Sequence, residues 1–141
     1  MITNRGPVVV IDDDRDDQEL FLEVLTHFGL KDFIRQFEDC PSALHYLETT
    51  PERPFLILCD INLPGMNGLE FRKRLNKNDF LRMKSIPFVF LSTAAVQAQV
   101  QEAYELTVQG FFIKQNSMAA MQDVFKRLLD YWKDCVHPNS F

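Results

Sequence analysis

Residues 8–17 read VVVIDDDRDD, and the change of character halfway along decides the fold. Val8–Ile11 is a short, unbroken apolar run of β-branched residues, the pattern of a strand buried on both faces. Five of the six residues from Asp12 to Asp17 are then acids. Carboxylates crowded this closely repel unless solvent spreads them or a cation sits among them. A strand buried on both sides belongs to a parallel sheet, which gathers the carboxyl ends of its strands along one edge, where ligands bind. The acids stand at that edge.

Outward from this stretch, strand and helix patterns alternate to the end of the chain. Leu20, Phe21, Val24, Leu25 and Phe28 recur at helical spacing, and Gly29 stops that helix. Phe33–Phe37 reads as the second strand. Asp39 then precedes a helix with Ala43, Leu44 and Leu47 on one face, ended at Thr49-Thr50-Pro51. Phe55–Cys59 is the third strand, closed by Asp60; Pro64, Gly65 and Gly68 mark a tight loop before a short helix, Leu69–Leu75. The polar stretch Asn76–Ser85 fits a loop or a frayed helix end equally well. Phe88–Leu91 and Phe111–Ile113 are the fourth and fifth strands. Between them lies a Gln-rich helix whose apolar positions are Val96, Val100 and Tyr104. Ser117 can cap the last helix, with a core face of Met121, Val124, Phe125, Leu128 and Trp132. Five strands alternating with five helices predict an α/β fold with a doubly wound parallel sheet.

Size and composition bound what such a fold can do. At 141 residues, with 46% hydrophobic residues and thirteen Phe, the chain can bury a real core. No repeat, low-complexity tract or linker divides it, so one domain over residues 1–141 is expected, its core at about 7–135 between short tails. A net charge of −5 argues against a nucleic-acid partner. MITNRGP has no apolar leader core and no run reaches membrane-spanning length, so no membrane partner is expected. Three cysteines, Cys40, Cys59 and Cys135, form no CxxC pair and read as buried or half-buried free thiols in a reducing cytoplasm. His27, His45 and His137 fall on helices or in the tail and read as surface or boundary residues.

The residue just past each buried run supplies the candidate site: Asp12 and Asp13, Asp60, Ser92 with Thr93, and Lys114. Packed carboxylates call for a hard dication, and oxygen ligands with retained waters suit Mg²⁺. A carboxylate left to act as nucleophile can accept a phosphoryl group, while the metal and a Lys offset the phosphoryl charge and a hydroxyl fixes one oxygen. Asp60, alone at its strand end before a Pro-Gly turn, is the best nucleophile. Asp14, Asp16 and Asp17 read instead as caps for the first helix and complements to its positive end.

The stretches VVVIDDD, LILCDINLPGMNG, PFVFLST and GFFIKQ make the chain resemble, over nearly its whole length, the receiver domain of two-component response regulators. The resemblance implies a flavodoxin-like topology with strand order 2-1-3-4-5. It implies Asp60 as phospho-acceptor, Asp13 on Mg²⁺ directly, Asp12 largely through water, and the Asn62 backbone carbonyl as a further metal ligand. Ser92 matches the family's hydroxyl position, Lys114 its phosphate-pairing Lys, and Phe111 its switch aromatic. Thr93 stands where the family often has a smaller residue and is read as narrowing access to the site. Gln115 follows Lys114 where the family often has Pro after a cis bond. A cis bond before a non-Pro residue costs roughly 2.5–4 kcal/mol, so a trans bond and a differently shaped loop are expected.

The implied function is that of a single-domain response regulator, not an enzyme beyond slow turnover of its own aspartyl phosphate. Its phosphoryl donor would be a histidine kinase or a histidine phosphotransfer protein. It would act as a monomer or a phosphorylation-dependent homodimer, its output passing by protein contact from the face of the fourth helix, fifth strand and fifth helix. Three other folds or functions could use some of the same residues. A haloacid-dehalogenase-type phosphatase could use Asp12-x-Asp14, Ser92 and Lys114, but lacks a late acidic pair after the Lys. An EF-hand could use Asp12, Asp14, Asp16 and Glu23, but has Asp17 where that loop needs Gly. A non-phosphorylated, receiver-like binding scaffold has no need of the intact set Asp13, Asp60, Ser92 and Lys114.

Overall fold

The computed structural model describes residues 6–141, so the reading of the first five residues as lacking a leader lies outside the described residues. A five-stranded sheet runs in the order β2-β1-β3-β4-β5, every neighbouring pair parallel. Its strands are β1 (Val8–Ile11), β2 (Ile34–Phe37), β3 (Leu56–Cys59), β4 (Phe88–Ser92) and β5 (Gly110–Ile113). The helices are α1 (Arg15–His27), α2 (Cys40–Thr49), α3 (Gly68–Lys77), α4 (Asp79–Met83), α5 (Gln97–Glu105) and α6 (Met118–Asp134), followed by a 3₁₀ turn at Pro138–Ser140. This is the doubly wound, flavodoxin-like arrangement read from the sequence.

The unbroken apolar strands follow from burial on both faces. Alternate residues point to opposite sides: Val9, Ile11, Ile57, Cys59, Phe88 and Phe90 pack with Ala43, Leu47, Phe71 and Leu75 of α2 and α3. Val8, Val10, Leu56, Leu58, Val89 and Leu91 pack with Phe21, Val24 and Leu25 of α1 and Met121, Phe125 and Leu128 of α6. Each fully buried side chain of this size stabilises the fold by about 1.5–3 kcal/mol relative to exposure. The strand order reverses between β1 and β3, and such a switch point opens a crevice at the carboxyl ends of those two strands. Asp12 and Asp60 are the first residues past them.

Among the described residues six α-helices form where five were expected. The stretch Asn76–Ser85 contains the end of α3 and a separate helix, because Asn78 serves both. Its extended backbone (φ −93°, ψ 107°) closes α3, and its side chain accepts the Leu81 N–H at 3.0 Å to open α4. The apolar face expected of α5 is also different. Val96 precedes the helix as its cap, Val96 and Tyr104 are exposed, and Ala103 is the residue the helix buries. In α6 Leu129 joins the buried face while Trp132 is half-buried.

His137 corrects the reading of the histidines. His27 and His45 are exposed, but His137 is fully buried. Its Nε2 lies 2.7 Å from the Phe55 carbonyl oxygen, its Nδ1 accepts the Asn139 N–H at 2.9 Å, and its ring stacks on Phe55 at 4.6 Å. Asn139 Nδ2 donates to the carbonyls of Arg53 and Pro54, and Arg53 donates to that of Phe141. The segment after α6 is therefore fastened to the entry of β3. Cys40 and Cys59 are buried and Cys135 is half-buried, as read, and none of the three is disulfide-bonded. Among the described residues no helix is long and apolar enough to cross a membrane.

Gly68 ties the fold to the acceptor loop. Its N–H donates to the Ile61 carbonyl at 2.9 Å. A Cβ there would collide with the Asp60 carbonyl oxygen and lie 2.8 Å from the Phe90 ring. Gly68→Ala is therefore expected to lower unfolding free energy by about 1–3 kcal/mol. Urea denaturation checks this, and an unchanged midpoint contradicts it.

Candidate functional site

The sheet's hydrogen-bond ladder runs out to the functional residues, so their backbones are fixed by it. Asp12 N–H donates to Phe37 O at 3.0 Å, Asp60 N–H to Ile11 O at 3.0 Å, and Lys114 N–H to Ser92 O at 2.8 Å. Gln18, one turn into α1, adds a clamp: its Nε2 donates to the carbonyls of Asp12 and Phe37, each at 3.0 Å. Asp14 caps α1 by accepting the Asp17 N–H at 3.0 Å, as expected.

Carboxylate oxygens of Asp12, Asp13 and Asp60 lie within 4.8 Å of one another. Asp12 is 1% and Asp60 8% exposed, whereas Asp13 faces solvent. The Lys114 ammonium stands among carboxylates, 2.8 Å from Asp12 Oδ2, 2.9 Å from Asp17 Oδ2 and 3.1 Å from Asp60 Oδ2. The contacts to Asp17 and Asp60 are aligned hydrogen bonds. The one to Asp12 is a close ion pair without that alignment, and it leaves Asp12 Oδ2 without a hydrogen-bond partner among the described residues. Asp12 Oδ1 accepts the Asp14 N–H at 2.9 Å, and Asp60 Oδ1 the Asn62 N–H at 3.3 Å.

Burial pushes the Asp12 carboxyl from an ordinary 3.8 up to about 6, although Lys114 and the Asp14 N–H pull the other way. For Lys114, burial alone favours the neutral amine. The contacts to Asp12 and Asp17 and the charges of Asp12 and Asp60 outweigh it and hold the group above its usual range. The two directions have different origins: loss of water raises Asp12 against the pull of Lys114, and the surrounding carboxylates raise Lys114 against its own burial.

The structure thus brings Asp12, Asp13, Asp60 and Lys114 together from three strand ends. Ser92 ends β4, fully buried, and its Oγ has no hydrogen-bond partner among the described residues. Asn62 is exposed two residues beyond Asp60, and its side chain accepts from Gln99 at 3.4 Å. Thr93 is exposed just past β4. Phe111 is half-buried against Phe90, ring centroids 6.2 Å apart. The Lys114–Gln115 bond is trans, as expected.

Asp17 was missed. The sequence placed it in a capping role, yet its carboxylate reaches across to Lys114, 97 residues away. Its place on the first turn of α1, beside the crevice, was legible; the direction of the Lys114 side chain was not.

The donor set fits a hard divalent cation: all are oxygens, Lys114 offsets only part of their charge, and Asp12 Oδ2 is a buried acceptor lacking a hydrogen bond among the described residues. Ser92 Oγ, buried and idle, fits an oxygen acceptor that arrives with a substrate.

Comparison with known proteins points the same way. Residues 8–126 match the family described as the response regulator receiver domain. The response regulator Rcp1 of Synechocystis is 28% identical over 134 residues, covering 92% of this chain and 90% of that protein. The phosphorylated cyanobacterial phytochrome response regulator RcpA superposes with a TM-score of 0.81 at 25% identity, over 92% of this chain and 94% of that one. A Mn²⁺-bound form of Rcp1 superposes with a TM-score of 0.77 at 26% identity, over 93% and 96% of the two chains.

The acidic site costs stability in the absence of a cation. Because Asp12 holds its proton more tightly folded than unfolded, its contribution falls as pH rises from about 4 through about 6. In urea unfolding without divalent cation at about pH 7.5, Asp12→Asn is expected to exceed wild type by about 1–3 kcal/mol. That advantage should shrink as the pH is lowered from about 6 toward about 4. A variant less stable than wild type at the higher pH contradicts the account.

Proposed function

The chain belongs to the response regulator receiver family, and we propose that its Asp60 receives a phosphoryl group from a histidine kinase or a histidine phosphotransfer protein. An Asp60 carboxylate oxygen attacks phosphorus, the P–O bond forms, and the P–N bond to the donor imidazole breaks with its electron pair left on nitrogen. Lys114, 3.1 Å from Asp60 Oδ2, shifts its hydrogen bond to a phosphoryl oxygen. The Ser92 hydroxyl, buried without a partner, donates to a second.

A divalent ion, Mg²⁺ by its preference for oxygen ligands, would be held by Asp12, Asp13, Asp60 and the Asn62 carbonyl. When bound it supplies the positive charge that lets a crowded acidic crevice admit a phosphoryl dianion. The Mn²⁺-bound relative is in keeping with such an ion.

The observation that carries the reading is the convergence on Asp60 of two further acids, an ammonium and an idle buried hydroxyl. The phosphatase alternative needs Asp14 as a second working acid, and that side chain is occupied as the cap of α1. The EF-hand alternative needs a loop where Arg15–His27 is a helix. The scaffold alternative leaves the unpartnered Ser92 hydroxyl unexplained.

Output is proposed to pass through α5, β5 and α6, the face the sequence numbered as fourth helix, fifth strand and fifth helix. Phe111 lines a cavity of about 530 Å³ there with Tyr104, Tyr131 and Trp132. Movement of Ser92 toward a phosphoryl oxygen would free space beside Phe111, which packs on Phe90 of the same strand.

Incubation with acetyl phosphate and Mg²⁺, read by intact mass, tests the assignment. Wild type gains one phosphate, Asp60→Asn gains none, and omission of the metal abolishes the gain. Phosphate on Asp60→Asn contradicts it, as does steady turnover of free phosphate esters.

A further inference from the structure

Asp17 has no part in the reaction just described, yet it holds one of the aligned hydrogen bonds of the Lys114 ammonium. An ammonium has three donors, and here three carboxylates, Asp12, Asp17 and Asp60, lie within 3.1 Å of it. A phosphoryl oxygen entering at Asp60 must win a share of this cation. Asp12 and Asp60 have a second employer, since both belong to the acid cluster that fits a cation. Asp17 does not; its side chain is 29% exposed at the mouth of the crevice and pairs with Lys114 alone among the described cations.

Its position on α1 is fixed twice. The Asp17 N–H is held by the Asp14 cap at 3.0 Å, and Gln18, the next residue, is bonded to the ends of β1 and β2. The backbone that carries the carboxylate is therefore held in place beside Lys114. The carboxylate pairs with Lys114 and adds a negative charge beside an incoming dianion.

Resting on the phospho-acceptor reading of Asp60, we propose that Asp17 is a positioning residue that slows phosphoryl uptake by competing for Lys114. The competition is one of charge, so an isosteric amide relieves it while leaving a hydrogen-bond acceptor in place. A longer carboxylate retains it.

The test is the initial rate of Asp60 phosphorylation by acetyl phosphate at saturating Mg²⁺, for wild type, Asp17→Asn and Asp17→Glu. Asp17→Asn is expected to react about three- to tenfold faster, a range that allows for solvent screening at a partly exposed carboxylate. Asp17→Glu should stay within about twofold of wild type, on the ground that its charge is unchanged. Urea midpoints measured alongside confirm that each variant is folded. An Asp17→Asn rate equal to or below wild type overturns the inference while leaving Asp60 as acceptor. So does an Asp17→Glu rate raised as much as that of Asp17→Asn, which would mark an effect of shape instead of charge. A wild type that takes up no phosphate on Asp60 overturns both readings.

Discussion

One ammonium among carboxylates whose summed charge it cannot balance is the constraint on which the site depends. The acids are delivered by β1, β3 and the first turn of α1, and Lys114 by the end of β5. Because Asp12, Asp60 and Lys114 are largely buried, water does little to dilute their charges. A fold that placed them so closely for stability alone would be poorly built. The arrangement makes sense as a seat that a dication and a phosphoryl group complete.

The sheet makes that placement possible. Asp12 and Asp60 sit one residue beyond strands buried on both faces, Ser92 ends another such strand, and Lys114 follows the edge strand β5; the last ladder bonds belong to these residues' own backbones. Their positions are thus set by two hydrophobic layers that take no part in chemistry. Gly68 and Asn67 extend the same control to the loop after Asp60: Gly68 because its missing Cβ lets α3 start against the acceptor's backbone, Asn67 because its side chain caps that helix.

Most of this was legible in the sequence, and the exceptions share a cause. Val8–Ile11, Leu56–Cys59 and Phe88–Ser92 announce themselves as strands because burial on both faces removes alternation, a local signal. The acid pair, Asp60 and Lys114 were found from their places at strand ends. What escaped depends on contacts between distant segments or on one residue serving two elements. Asn78 both ends α3 and begins α4, so a polar stretch looked like a loop. His137 is buried by Phe55, 82 residues away, and Asp17 is turned from cap to ion-pair partner by Lys114. Tyr104 and Val96 had helical spacing but no neighbour to cover them, and Ala103 took the contact.

The most direct measurement of the central claim is a crystal structure grown with Mg²⁺ and beryllium fluoride, a mimic of the phosphoryl group. The fluoroberyllate is expected on the Asp60 carboxylate, with the Lys114 ammonium and the Ser92 hydroxyl on its fluorines. The cation is expected on Asp13, Asp60 and the Asn62 carbonyl, with Asp12 reached largely through water. An adduct on any other residue, or a cation bound away from the acid cluster, would contradict that claim.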